Sequence, residues 1–318
     1  MCRTKELGGR RCPAHTDPEK VAAYNAVRRQ RYASRKTVFA NYGFTDPNKV
    51  EREPGMTSLA QRKASVKVLA GLTQAQRNSI GLFTSNNYEW INGSLFGLQN
   101  FLYEPNTENY YYSYRPKDID LEGMEYNSTN DTIPMPTVDN VVTIVDTLDD
   151  AFQHAEPEEK ILYRGKGQFS ARFNDNVSKY VDDNYGIGQE IVFDGYQSAS
   201  MHPGVGSDYA GEGGIVYELK TVSGLNAHSI SHFEDEQEIL LPRQTRWKVV
   251  GVHKDVIYAP TVGSTGGFQE EAPTVTVVQM VEIDDDGNEL KEHRKTAPLN
   301  RKRLQKSVKP EPEKEMVI

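Results

Sequence analysis

A chain of 318 residues, 26% charged and 37% hydrophobic, suits a soluble globular protein with some loose segments, and its formal net charge of −8 excludes an all-over basic nucleic-acid binder. Cys2 and Cys12 are the only cysteines, so a disulfide framework is excluded as the main source of stability. The sequence holds no apolar run of about eighteen residues that could span a bilayer, and MCRTKELGGRRCP has positive charge without an apolar core, so no membrane contact is expected and the expected location is the cytoplasm.

Residues 1–56 read as a basic appendage. Asp17-Pro18-Glu19 is a helix-start signal, and the helix that follows turns basic from Arg28 onward. A solvated helix face explains those charges; a contact with nucleic acid or with an acidic protein surface is the alternative. Cys2, Cys12 and His15 could begin a metal site, but no fourth ligand is evident, so no metal is expected. Glu51 to Met56 reads as a linker.

Residues 57–295 form the expected main domain. A helical region starts at Thr73, and NNYEWINGSLFGL continues it, with Trp90, Ile91, Leu95 and Leu98 at helical spacing. Residues 106–136, rich in Tyr, Asn and Pro, read as a long irregular loop. Val141, Ile144, Val145, Leu148 and Phe152 then share one face of another helix. After that the period changes to two. Short strand-like stretches occur at 160–164, 190–193, 214–219, 238–241, 247–250 and 274–278, divided by Gly, Asn and Asp. Helices first and strands afterwards predict an α+β fold with antiparallel sheets. Gly204-Val-Gly206 and Gly211-Glu-Gly-Gly214 match no phosphate-binding pattern and read as loops beside a strand. Asp284 to Asn288 reads as a hairpin turn, and residues 296–318, poor in apolar side chains, as a disordered tail.

Three strand-edge stretches carry candidate chemistry. Tyr163-Arg164-Gly165 ends a strand: the arginine fork suits a phosphate or carboxylate, and the glycine lets a ligand approach the backbone. In Ser198-Ala199-Ser200 the two serines face one side by alternation, where they could bond each other, the backbone or a carboxylate. In Glu236-Gln237-Glu238 alternation puts two carboxylates on one face, against the apolar Ile239-Leu240-Leu241. Such a pair is unfavourable unless a cation lies between them. An acidic loop in water is the plainer reading, but the abrupt apolar run brings Glu238 to the core boundary. His228 and His232 are spaced four apart in a Gly/Ser/Asn-containing loop, where helical spacing means little for a zinc pair.

Taken in order, these stretches resemble the arginine-directed mono-ADP-ribosyltransferases of the R-S-E class. The carriers are Tyr163-Arg164, Ser198-Ala199-Ser200 and Glu236-Gln237-Glu238, with SxFxxExExLLP around the last and NNYEWINGSLFG before the sheets. The family's central Thr is Ala199 here, and alternation turns that side chain away from the site. The resemblance implies α+β architecture, with a helical region followed by two antiparallel sheets forming an NAD+ cleft. It implies transfer of ADP-ribose from NAD+ to arginine side chains of target proteins, with no metal. Arg164 would clamp the pyrophosphate or a ribose, and the Gly165 backbone the nicotinamide amide, with Tyr163 and Ser200 beside them. Ser198 would orient Glu238, and Glu238 would stabilise the ribosyl cation. Glu236 would bind the guanidinium, Glu rather than Gln there pointing to arginine, and Phe233 would recognise the target. Tailed bacteriophages carry such enzymes, which suggests host proteins of transcription or translation as partners. The alternatives are an NAD glycohydrolase, a nucleic-acid acceptor, or a non-catalytic virion or interaction protein.

Overall fold

The computed structural model describes residues 42–44, 46, 58–95, 138–155, 158–167, 176–231, 236–259 and 272–292. The chain divides into two compact units, Met1–Asp46 and Pro47–Ile318. The second unit carries an eight-stranded sheet and the helices packed on it. The basic helix, Cys2, Cys12, His15, the Tyr/Asn/Pro-rich stretch, Leu98, His232, Phe233 and the tail all lie outside the described residues.

Among the described residues, four α-helices precede the strands: α1 (Ser58–Ala70), α2 (Gln74–Leu82), α3 (Tyr88–Leu95) and α4 (Val138–Phe152). Helix α2 begins at Thr73 because a reciprocal cap closes it: the Thr73 hydroxyl accepts from the Gln76 N–H, and the Gln76 side chain accepts from the Thr73 N–H. Between α2 and α3 runs a π-helical segment, Phe83–Asn87, broken at Ser85, whose backbone is extended (φ −92°, ψ −174°). The predicted face of α4 is the buried one, with Val141, Ile144, Val145, Leu148 and Phe152 all in a core shared with Ile80, Leu82, Phe83 and Ile91. Helix α1 has no counterpart in the sequence reading, because its buried positions include Gln61 and Ser65, which no apolar period reveals.

The strands are β1 (Lys160–Lys166), β2 (Glu190–Phe193), β3 (Gln197–Ser200), β4 (Ile215–Thr221), β5 (Leu225–Asn226), β6 (Glu238–Leu241), β7 (Thr245–Ile257) and β8 (Thr274–Glu282). Their order is β2-β7-β8-β4-β1-β3-β6-β5. The fold is α+β, as the element order predicts. It departs from two separate antiparallel sheets in two ways. Strands β4 and β8 run parallel, and the five-stranded and three-stranded parts are joined by one residue pair, Tyr163 with Ser200. Beyond that pair β1 and β3 diverge. The two parts pack face to face: Leu162, Tyr217, Leu219, Trp247 and Met280 from one meet Ala199, Ile239 and Leu241 from the other.

Among the described residues, two further helices flank the sheet, α5 (Val177–Asn184) and α6 (Pro203–Ala210). Helix α6 corrects the expectation of a loop at Gly204-Val-Gly206. His202 caps it, its Nδ1 accepting from the Gly204 N–H at 3.0 Å, and Pro203 opens the first turn. The glycines let it lie hard against β1. A methyl group on Gly206 would stand 3.2 Å from the Tyr163 Cβ, and one on Gly165 would stand 2.2 Å from the Gly206 carbonyl oxygen. The turn at 284–288 closes a hairpin, with Ile283 bridged to Glu289.

Candidate active site

Where β1 and β3 part, a cleft of about 190 Å³ opens. Its floor and walls include Tyr163, Arg164 and Gly165 from β1, Ser198 and Ser200 from β3, and Glu236 and Glu238 at the start of β6. Seven of the eight residues singled out in the sequence therefore line one cleft; Phe233 is the eighth, outside the described residues. Register explains the convergence. Tyr163 lies opposite Ser200, and Ser200 lies opposite Glu238 on its other side, so three distant segments meet on one line across the sheet.

Two local expectations need correcting. Gly165 is glycine because α6 crowds it: an added Cβ would also meet the Ala210 nitrogen at 2.5 Å and the Tyr209 Cβ at 2.6 Å. The missing side chain makes room for a helix, rather than chiefly for a ligand. Glu236 and Glu238 do share the cleft, but not through strand alternation. Strand β6 starts at Glu238, and Gln237 before it has a left-handed backbone (φ 49°). A turn, and not a pleat, brings Glu236 round to the same side. Ala199 packs into the apolar layer between the sheet parts and also borders the cleft.

Glu238 is 3% exposed. Burial pushes its carboxyl up to about 7, and the nearby Glu236 charge adds to the rise. Hydrogen bonds from the Ser198 and Ser231 hydroxyls, and the Arg164 charge, work against it. The Ser231 hydroxyl donates to Oε2 of Glu238. Arg164 is half-buried, and one guanidinium N–H donates to the Ser198 carbonyl across the gap between β1 and β3. Loss of water lowers its pKa, opposed by Tyr217, Tyr88, Tyr209 and Glu238. Ser200 is buried, and its hydroxyl accepts from the His202 N–H at 2.8 Å. That bond ties β3 to the first turn of α6.

Several further residues at or beside the cleft have no role assigned by the sequence, although Ser231 and Tyr88 fall within SxFxxExExLLP and NNYEWINGSLFG. Ser231 lies seven residues before Glu238 and donates its hydroxyl to that carboxylate. Tyr209, on α6, donates its hydroxyl to Oε1 of Glu236. Tyr88 forms part of the opposite wall with Phe83, Thr84 and Ser85, at the break between α2 and α3. Tyr196 closes the deep end, its ring stacked on Phe152 and its hydroxyl on Asp149 at 2.7 Å.

The arrangement can hold a flat aromatic group between phenyl and phenol walls and an anionic group at Arg164. It can also stabilise a cation that forms beside Glu238, since two carboxylates already face that point. Among the described residues no group of three or more His, Cys, Asp or Glu could hold a metal ion. No described helix is long and apolar enough to cross a membrane.

Residues 57–271 match the family model described as ADP-ribosyltransferase exoenzyme. No curated protein matches the chain in sequence. Among solved structures it is similar to Plx2a, an ADP-ribosyltransferase toxin from Paenibacillus larvae, at 16% identity and a TM-score of 0.45, covering 71% of this chain and 96% of that one. It is similar to the Clostridium limosum C3 exoenzyme at 18% identity and a TM-score of 0.45, covering 72% and 97%. It is similar to the inhibitor complex of the ADP-ribosyltransferase Vis at 13% identity and a TM-score of 0.45, covering 80% and 99%.

Proposed function

The chain belongs to the ADP-ribosyltransferase exoenzyme family, whose co-substrate is NAD+, and from that premise we propose that it moves ADP-ribose from NAD+ to arginine side chains of target proteins, releasing nicotinamide. One observation carries the reading: buried Glu238, held by the Ser198 and Ser231 hydroxyls, shares a cleft with Arg164 and Glu236.

In this reading the glycosidic bond between ribose C1′ and the nicotinamide nitrogen breaks, and its electron pair leaves with nicotinamide. Positive charge develops on the sugar, as in glycoside cleavage. Ionised Glu238 stabilises that charge and bonds the ribose 2′-hydroxyl, while Ser198 and Ser231 hold it in place. Arg164 grips the pyrophosphate, and the Gly165 backbone bonds the nicotinamide amide. A guanidine nitrogen then forms the new bond to C1′ and gives up a proton, with Glu236 binding the guanidinium and accepting the proton. A carboxylate at 236 suits a cationic acceptor, which favours arginine. Phe233 belongs to the target-recognising loop, and host proteins met during phage infection are the proposed targets.

The test is incubation of the chain with labelled NAD+ and a cell extract, followed by mapping of the labelled residue. Arginine-linked label is expected. Glu238→Ala should lower labelling and nicotinamide release by roughly 10²–10³-fold, the range for one transition-state electrostatic contact. Parental activity in that variant would remove Glu238 from the mechanism.

A further inference from the structure

We infer that Tyr209 is the positioning residue for Glu236, fixing the acceptor-binding carboxylate from the far wall of the cleft and so favouring transfer over loss of ADP-ribose to water. The inference rests on the proposed function and deepens it.

Glu236 needs such an anchor. It stands outside the ladder, because β6 begins pairing only at Glu238 opposite Ser200. The left-handed Gln237 separates it from the strand. It also faces a second carboxylate, Glu238, whose charge repels it.

Tyr209 supplies a fixed donor. It sits in the last turn of α6, and that helix is wedged onto β1 by contacts too close for any side chain at Gly165. The phenol cannot drift far from the cleft while α6 stays docked. Its hydroxyl donates to Oε1 of Glu236, a bond that favours the ionised carboxylate. Burial, first, and then this bond raise the Tyr209 pKa, so the phenol keeps its proton to donate. Among the described residues, other charged and titratable groups that act on the pair include Glu238, the Tyr88 phenol and the Arg164 guanidinium, which interacts with the Tyr209 phenol. Tyr209 is 53% exposed, so the pair lies at the mouth, where a protein side chain arrives. The bond joins the two walls across the acceptor's path.

The test uses the full chain as wild type, Tyr209→Phe, Glu236→Gln and the double variant. Nicotinamide release and ADP-ribosylation of arginine methyl ester are measured together, and the Glu236 carboxyl is followed by carbon-13 NMR. Tyr209→Phe should raise the acceptor KM and lower the ratio of transfer to hydrolysis by about 3–10-fold, the effect of one partly exposed hydrogen bond to a charged group. In the Glu236→Gln background it should change the ratio no further. Glu236 should titrate at higher pH once the phenol is gone. An unchanged ratio alongside wild-type turnover overturns this inference alone. An equal fall in the Glu236→Gln background also overturns it, since Tyr209 would then act on something else. A wild-type chain that releases no nicotinamide overturns the proposed function, and this inference with it.

Discussion

The side-chain amide of Gln61 donates to the main-chain carbonyl of Gln237 at 2.7 Å, joining helix α1 to the turn between the two cleft glutamates across 176 residues of chain. Both residues are buried. The same helix holds the other side of that loop: the Ser65 hydroxyl donates to the Asn226 carbonyl at 3.0 Å and accepts from the Ser229 N–H at 3.1 Å. Gln61→Leu keeps the bulk but leaves a buried carbonyl short of its donor. A loss of about 1–3 kcal/mol in unfolding free energy is expected, read by urea denaturation. Nicotinamide release should fall with it, because the turn sets both carboxylates. An unchanged stability would mean that water replaces the amide.

The raised Glu238 carboxyl makes stability depend on pH in a defined direction. Between its ordinary value of 4.5 and its folded value of about 7, the folded chain holds a proton that the unfolded chain releases. Its stabilising contribution is complete below pH 4.5 and is lost as pH rises through 7, a change of about 3 kcal/mol. Glu238→Gln should therefore be more stable than the parent at pH 8, with that advantage gone at pH 4. Denaturation curves at the two pH values check the sign. NAD+ turnover should show the reverse trend, rising as Glu238 ionises near pH 7.

Ser231 steadies the ionised form of Glu238, so its loss should move that titration upward. In Ser231→Ala the acid limb of the pH–rate profile should shift to higher pH, with much of the rate regained at pH 9. A fall of equal size at every pH would mark Ser231 as structural only.

Gly165→Ala tests the docking of α6. The new methyl group would meet backbone atoms of α6 at 2.2 and 2.5 Å, so the helix must shift. Overpacking of this kind costs about 1–3 kcal/mol. A lowered Tm is expected, together with weakened NAD+ binding measured by calorimetry, since Tyr209 and Ser200 move with the helix. Parental Tm would mean that α6 yields easily.

Much of this protein is determined by the sequence alone. The apolar period of Val141 to Phe152 fixes a buried helix face, while the alternation around Ser198 and Ser200 and the turn residues at 284–288 fix local backbone. Those are short-range properties, set by neighbours in the chain, so they are legible in it. The three motifs are visible for a similar reason, each placing polar residues in or beside a short strand. A single register pair, Tyr163 with Ser200, and the step from Ser200 to Glu238 gather them. Packing in three dimensions, by contrast, sets the approach of Ser231 and Tyr209 to the glutamates, the hold of Gln61 on the turn, and the placing of Gly204 and Gly206 in a helix wedged on β1. Such contacts depend on how separate elements pack and on one left-handed residue, Gln237, and no period in the chain encodes either.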